Sequence, residues 1–162
     1  MNKKEYQFSF TSYSSIEELN KEDALLLEEA RKITKVAYAP YSNFNVGAVA
    51  KLSNDKIVVG TNQENASYPV TICAERALLA SVGTLYPNVP IETMAISYHN
   101  QNAESDKPIS PCGMCRQSLV EYEKRTNKGI RLILSGMKGE VFIIEKASQL
   151  LPLSFGKDDL KG

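Results

Sequence analysis

The sequence is poor in the residues that build disulfide-rich, membrane-spanning or nucleic-acid-binding proteins. Its three cysteines cannot all pair, and such cysteines in a reducing compartment are more often ligands or nucleophiles than disulfides. Lysine plus arginine equal aspartate plus glutamate, 19 each, so no basic surplus favours a nucleic-acid or membrane partner. No apolar run approaches the roughly 20 residues that span a bilayer. Polar side chains interrupt residues 1–12, so no signal-peptide core is present and we expect a cytoplasmic protein.

The remaining composition is that of an ordinary globular chain. Its 162 residues, 43% of them hydrophobic, fit one domain with a core that needs no disulfides. We therefore expect a single domain over residues 1–162, in which residues 1–20 are an N-terminal extension of unknown role. Tyr6, Phe8 and Phe10 alternate with polar residues in that extension, which predicts a short strand or an extended arm laid on its own domain or on a neighbouring subunit.

Apolar spacing predicts three helices, over residues 22–38, 73–81 and 115–124. Pro40 and Gly83 are expected to end the first two, and a possible capping box at Ser15–Glu18 predicts a helical turn before them. Five strands are predicted at 45–52, 57–60, 93–98, 130–135 and 141–145, with a polar loop over 99–110 and a last helical turn at 147–151. Strands that alternate with helices predict an α/β fold of three layers, α/β/α, around a mixed, roughly five-stranded sheet.

The cysteines predict a metal site. Cys112 and Cys115 form a Cys-x-x-Cys at the start of a predicted helix, and Cys73 starts another. A Cys-x-x-Cys alone also suits a redox pair, but that interpretation does not use Cys73. A structural zinc normally has four protein ligands, whereas a catalytic zinc has three and a water. His99 is the one further nitrogen or sulfur candidate, and we expect it to be solvated in its polar loop. The pattern therefore predicts an open zinc site.

Glu75 and Arg76 are candidate partners of this metal site. Residues two apart point away from each other on a regular helix, so Cys73 must lie at the helix cap if Glu75 is also to face the metal. Glu75 is then free to act as a general acid/base, whereas by itself it could be a plain first-turn acid. Arg76 is placed to offset the net negative charge of zinc with three thiolates, together with the helix N-termini.

Several motifs resemble those of the cytidine deaminase family, in its small homotetrameric branch with three zinc-binding cysteines. The resemblance extends from about Ala30 to Leu160. It is carried by Tyr38–Ala48, Thr61–Tyr68, Cys73–Arg76, Pro111–Gln117 and Leu150–Leu160.

The resemblance implies one zinc ion per subunit, bound by Cys73, Cys112 and Cys115, with Glu75 as the proton carrier. It also implies substrate contacts. Phe44 would pack beside the pyrimidine, Asn62 and Glu64 would bind the ribose hydroxyls, and Ala74 would offer its backbone N–H to the attacked side of the ring. Three more residues would approach the pocket of a neighbouring subunit in a homotetramer, namely Ala66, Tyr68 and Phe155.

The expected reaction is hydrolytic deamination of cytidine and 2′-deoxycytidine to uridine and 2′-deoxyuridine, with release of ammonia, in pyrimidine salvage. Another zinc deaminase with the same centre, such as a blasticidin-S deaminase, is the nearest alternative. A deaminase of polynucleotides is disfavoured by the balanced charge. A zinc-stabilised interaction module and a redox protein remain alternatives of other classes, and the metal content with ammonia release separates them.

Overall fold

The computed structural model describes residues 1–161, and six strands form its sheet. The strands are β1 (Thr11–Tyr13), β2 (Phe44–Leu52), β3 (Ile57–Thr61), β4 (Ile91–Asn100), β5 (Arg131–Ser135) and β6 (Val141–Ile144). Their order across the sheet is β1-β6-β5-β4-β2-β3, with β4 and β5 parallel and every other neighbouring pair antiparallel. The predicted mixed sheet is therefore confirmed, with one strand more than the five expected. The extra strand is β1, which forms only because β6 is there to pair with it.

Three helices cover the two faces of the sheet, which confirms the predicted α/β/α layers. They are α1 (Lys21–Ile33), α2 (Ala74–Leu85) and α3 (Gly113–Thr126). Helix α1 buries Leu26, Leu27 and Ala30 on one face, against side chains of the central strands. Helices α2 and α3 pack on the other face, where the larger core lies. None of the helices in residues 1–161 is long and apolar enough to cross a membrane.

The predicted ends of two helices were wrong, for different reasons. Helix α1 ends at Ile33 and passes into a 3-10 turn, Thr34–Val36, well before Pro40. The Asn45 side chain of β2 donates to the carbonyls of Thr34 and Ala37, so a distant residue satisfies the helix end. Helix α2 continues through Gly83 to Leu85. A Cβ at Gly83 would meet only Arg125, at 3.5 Å, so this glycine lies in an ordinary helical position and does not end the helix.

The N-terminal arm lies on its own domain, although most of it is not a strand. Only Thr11–Tyr13 pair with β6, and residues 1–10 have no regular structure. The Phe10 ring packs on Phe142 with centroids 4.7 Å apart, and the Tyr6 hydroxyl donates to the carbonyl of Gln149 at 3.1 Å. The arm therefore covers the β6 edge of the sheet and reaches the segment that follows it.

The turn predicted after the arm is present, but its capping box is not. Residues Ile16–Glu18 form a 3-10 turn in which the Ser15 side chain makes no capping hydrogen bond. The Glu18 carboxylate accepts from the backbone N–H of Ser14 rather than Ser15. Neither of the two reciprocal bonds of a capping box therefore forms here.

Two contacts fix the helices on the sheet. The Asp23 carboxylate of α1 accepts two hydrogen bonds of 2.7 Å from the Arg131 guanidinium of β5. On the other face, Gly60 of β3 lies so close to α2 that a Cβ there would be 2.5 Å from the carbonyl oxygen of Ala74. Because only glycine allows this approach, the first turn of α2 rests directly on the sheet.

Candidate metal centre and active-site cleft

Two helix N-termini bring the cysteines together. Cys73 is the N-cap residue of α2, with φ −70° and ψ 154°, and Cys112 is the N-cap residue of α3, with φ −66° and ψ 169°. Cys115 lies in the first turn of α3, which begins at Gly113 and not at Cys115 as predicted. Both cap residues are extended, so their side chains leave the helix axis and converge. Cys73 thus has the position that lets Glu75 face the same space.

The three sulfur atoms form a compact cluster. Sγ of Cys112 lies 3.8 Å from that of Cys73 and 3.4 Å from that of Cys115, and all three lie within 4.8 Å of one another. The hydrogen bond from the Cys115 thiol lowers the pKa of Cys73 to about 6, although burial opposes it. The same bond, followed by burial, raises the pKa of Cys115. One thiol of the cluster therefore loses its proton readily, which is what a metal ligand requires.

The donor set fits a zinc ion with an open position. Thiolate sulfur is a zinc ligand, and two helix N-termini point their free N–H groups at the cluster, where they offset its negative charge. Within residues 1–161, no histidine, aspartate or glutamate joins the three cysteines. His99 is exposed and belongs to strand β4, not to the loop in which it was predicted, and it lies outside the cluster as expected.

Glu75 is a buried carboxyl beside the cluster. It is 6% exposed, and this burial raises its pKa. A buried carboxyl with a raised pKa has a higher proton affinity than a surface glutamate, which suits a group that accepts and donates a proton. Arg76 is half-buried on the next position. The Cys115 hydrogen bond is the main cause of the lowered pKa of Cys73, and the positive charge of Arg76 lowers that pKa slightly further. Arg76 therefore acts on the cluster through its charge.

A cleft of about 400 Å³ opens onto the cluster and Glu75. This volume lies in the range of small-molecule sites. Sequence reasoning named seven of its lining residues and missed five. Ser110, which directly precedes the Pro111–Cys112 pair, could have been found from that motif, whereas the others approach only through tertiary structure. The missed residues are Ser42, Val46, Thr71, Ile109 and Ser110.

One wall of the cleft carries a fixed aromatic ring. Phe44, the first residue of β2, is half-buried and stacks on Tyr98 of β4, with centroids 4.8 Å apart and planes 13° apart. Since Tyr98 is buried, Phe44 is held from behind while its other side borders the cleft. A flat apolar wall of this kind suits a planar heterocycle.

The polar wall of the cleft carries Asn62 and Glu64. The Asn62 amide accepts from the backbone N–H of Val46 at 2.8 Å and donates to the carbonyl of Phe44 at 2.9 Å. One N–H and one lone pair of that amide remain for a ligand. Glu64 Oε2 accepts from the N–H groups of Tyr41 and Ser42. Burial raises the pKa of Glu64, but these bonds and one from the Ser42 hydroxyl outweigh it, so the pKa is lowered and the carboxylate stays ionised.

The remaining predicted contacts divide into two groups. Ala74 lines the cleft as the first residue of α2, where its N–H has no partner within the helix. Ala66, Tyr68 and Phe155 are exposed and do not line the cleft of their own chain. Tyr68 and Phe155 leave 69% and 58% of their surface to solvent, so both are free to contact another chain.

Comparison with known proteins identifies the family. The family model for the cytidine and deoxycytidylate deaminase zinc-binding region matches residues 20–128. The chain belongs to this deaminase family.

Relatives and solved structures agree with this placement. The cytidine deaminase of Halalkalibacterium halodurans is 35% identical over 136 residues, which cover 84% of this chain and 96% of that protein. One from Mycobacterium tuberculosis is 32% identical, covering 84% and 91% of the two chains. The crystal structure of cytidine deaminase from Burkholderia pseudomallei has a TM-score of 0.71 at 34% identity and covers 85% of this chain and all of that one. The zinc-binding family and the three-thiol cluster together make this a zinc protein.

The deaminase family model covers the fold from the start of α1 to the end of α3, and therefore includes every cysteine. The arm that precedes it and the last strands and tail that follow it lie outside the matched residues. Those two outer segments meet each other at the Tyr6–Gln149 hydrogen bond.

Proposed function

We infer that this protein is a zinc-dependent cytidine deaminase, which converts cytidine and 2′-deoxycytidine to uridine and 2′-deoxyuridine with water as co-substrate and ammonia as the second product. One observation carries the inference: the buried Glu75 and the three-thiol cluster share the end of a cleft that has the volume of a small-molecule site. A proton carrier beside an open metal position is the arrangement that hydrolytic deamination of a base needs.

Cys73, Cys112 and Cys115 are the proposed zinc ligands. When bound, zinc lowers the pKa of a water molecule to near neutrality and so supplies the nucleophile. Positive charge in the chain offsets the negative charge of the three thiolates. It comes from the N-termini of α2 and α3 and from the side chain of Arg76.

Glu75 is the proposed proton carrier. Its carboxylate takes the proton of the attacking water and delivers it to N3 of the pyrimidine, which makes C4 electrophilic. The water oxygen forms a bond to C4, and the second proton passes from the new C4 hydroxyl through Glu75 to the amino group. The C4–N4 bond then breaks, which leaves a C4 carbonyl and releases ammonia. The Ala74 N–H donates to the attacked side of the ring. Burial of Glu75 supports the role, because it raises the pKa of the carboxyl and so favours its acceptance of a proton.

The substrate contacts proposed from the cleft separate base from sugar. Phe44, braced by Tyr98, packs beside the pyrimidine. The free N–H of Asn62 donates to a ribose hydroxyl, and the free oxygen of Glu64 accepts from one. Both side chains are held by backbone hydrogen bonds before substrate arrives, so little conformational entropy is lost on binding.

The proposed assembly is a homotetramer in which neighbours complete each other's pockets. The exposure of Ala66, Tyr68 and Phe155, away from their own cleft, supports this arrangement. We place the whole chain in one deaminase domain with the arm as an extension, and its activity in cytoplasmic pyrimidine salvage. Unpaired cysteines that act as metal ligands are typical of a reducing compartment.

The test is turnover and metal content on one sample. Purified protein should convert both nucleosides, followed by the fall in ultraviolet absorbance, and should contain about one zinc per chain, as expected of a three-thiolate open site. Cys112→Ser should lose zinc and turnover together, whereas Ser118→Ala on the same helix should keep both. Zinc-loaded wild-type protein that releases no ammonia from either nucleoside would contradict the assignment.

A further inference from the structure

The C-terminal tail is fastened to helix α3 by two consecutive residues. After the buried Leu150, residues 151–155 are half-buried or exposed, and the chain meets α3 again at Phe155. The Arg116 Nη1 donates to the carbonyl of Leu150 at 3.0 Å, and the Gln117 Nε2 donates to the carbonyl of Phe155 at 3.0 Å. Each end of the segment 150–155 is therefore held by a side chain from the first turns of α3.

Arg116 also holds the loop that carries a cysteine. Its Nε donates to the carbonyl of Pro111 at 2.8 Å, directly before Cys112. A guanidinium presents its donors in a rigid planar fork, so it fixes two carbonyls at a set angle, which an ammonium cannot do. The loop before Cys112 and the root of the tail are thus positioned against the same side chain.

The tail itself has a conformation that needs support. Leu153 has φ +56°, in the left-handed region that L-residues rarely adopt, and its side chain is fully exposed. A strained, exposed leucine persists only where its surroundings hold the backbone. The Gln117 bond to the Phe155 carbonyl holds the backbone after Leu153, and the Arg116 bond to the Leu150 carbonyl holds it before Leu153.

We propose that Arg116 and Gln117 are positioning residues for the deamination reaction. Arg116 sets the metal-bearing loop and the root of the tail together, and Gln117 sets the angle at which the tail presents Phe155. The proposal rests on the proposed function, in which Phe155 completes a neighbour's pocket. Helix α3 then positions both the metal centre of its own subunit and Phe155, the apolar residue that this subunit contributes to the pocket of the next.

Gln117 is tested by removing its donor. Gln117→Glu and Gln117→Leu keep nearly the same size, and both should raise the KM for cytidine about 3–10-fold, the loss of one hydrogen bond, with kcat and zinc content little changed. Each should add no further KM increase to Phe155→Ala, because the two residues act through the same contact. A KM equal to wild type in both variants, or full additivity with Phe155→Ala, contradicts the role.

Arg116 is tested by separating charge from geometry. Arg116→Lys keeps the charge but loses the fork, so it should resemble Arg116→Met, and both should release zinc to a chelator about 10-fold faster or more, as when the partner of a metal ligand is removed. Arg125→Lys on the same helix, which does not touch the tail, is the matched control. Zinc release at the wild-type rate in Arg116→Lys would show that only charge matters and would overturn the proposal.

Amide hydrogen exchange gives a readout that does not need turnover. The amides of Leu151 and Gly156, which donate to Ser148 and Asp159, should exchange faster in the Arg116 and Gln117 variants, while strand β2 keeps its wild-type protection. Unchanged exchange in the tail contradicts the proposed fastening even if the enzyme is active. Inactive but zinc-loaded wild-type protein would instead refute the proposed function alone, since zinc release and tail exchange are measured without substrate.

Discussion

At the scale of single residues, the proposal gives metal binding and proton transfer to different side chains. The thiols of Cys73, Cys112 and Cys115 are the proposed donors to a metal, whereas Glu75 is buried beside them without belonging to the cluster. A carboxyl that does not ligate keeps both oxygens for proton transfer. The burial that raises its pKa is also the reason that a neutral substitute of the same shape fits in its place.

Glu75→Gln should therefore retain zinc and lose turnover. The amide preserves packing but cannot carry a proton, so kcat for cytidine should fall by about 10²–10⁴-fold, the usual contribution of general acid–base catalysis. Steady-state kinetics and zinc analysis on the same preparation measure this. Glu121→Gln on the exposed side of α3 is the control and should retain wild-type kcat. Turnover near wild type in Glu75→Gln would refute the proton-carrier role.

The Asp23–Arg131 pair is the residue-scale contact that fastens α1 to the sheet. Asp23 is almost fully buried while Arg131 keeps about a quarter of its side chain exposed. Asp23→Ala removes two charge-assisted hydrogen bonds and leaves Arg131 with only its longer contact to Glu145, so the free energy of unfolding should drop by about 1.5–3 kcal/mol. Urea denaturation measures it.

The control for that pair is Glu29→Ala on the same helix. Glu29 pairs with Lys32 at the surface, where solvent screens both charges, so its removal should hardly move the denaturation midpoint. Equal losses from Asp23→Ala and Glu29→Ala would mean that the buried pair contributes no specific stability.

At the scale of elements, the closeness of α2 to β3 decides where Cys73 and Glu75 lie. Gly60→Ala places a Cβ against the backbone of the first turn of α2, so the helix must shift and carry both residues with it. We expect a loss of about 1–3 kcal/mol in stability and a lower zinc content. Gly83→Ala, within helix α2, meets no obstruction and should raise the free energy of unfolding by up to about 1 kcal/mol.

Thermal unfolding and zinc analysis of the two glycine variants check this pair of expectations. If Gly60→Ala keeps wild-type zinc content and stability, the contact does not position the helix.

The local sequence pattern predicted most helices and strands well, but it failed where contacts with distant residues determine the end of an element. Strands β2 and β3 were predicted to within one residue, because alternating apolar residues are a local signal. The end of α1 was missed, since it depends on hydrogen bonds from Asn45, which lies in strand β2. Gly83 was taken as a stop because propensity cannot show that a glycine has open space around it. The cysteine cluster was predictable from its spacing, whereas Ile109 reaches the cleft only through the tertiary path of its loop.

At the scale of the whole molecule, the proposed assembly predicts that two defective chains can restore each other. Glu75→Gln disables its own cleft but keeps a normal tail, and Phe155→Ala keeps a normal cleft but supplies a defective tail. In mixed tetramers, some clefts combine the intact Glu75 of one chain with the intact Phe155 of the other. Co-expression of the two variants should therefore give more activity per chain than the average of the separate proteins.

The control for this experiment mixes Glu75→Gln with Cys112→Ser. Both defects lie in the cleft of the chain that carries them, so no combination of chains produces an intact site. Activity restored equally in both mixtures, or in neither while light scattering shows mixed tetramers, would contradict shared pockets.

The pairing of β1 with β6 has a consequence for the order in which the protein is made. Ser12 and Glu140, which bond across these strands, are 128 residues apart. At synthesis rates of about 5–20 residues per second, the aromatic arm is finished roughly 6–25 s before its partner strand leaves the ribosome. Tyr6, Phe8 and Phe10 are therefore synthesised well before the strand that they cover, and they are among the last residues to find their native contacts. During translation the nascent chain therefore carries an unpaired apolar segment, the kind of segment that chaperones bind.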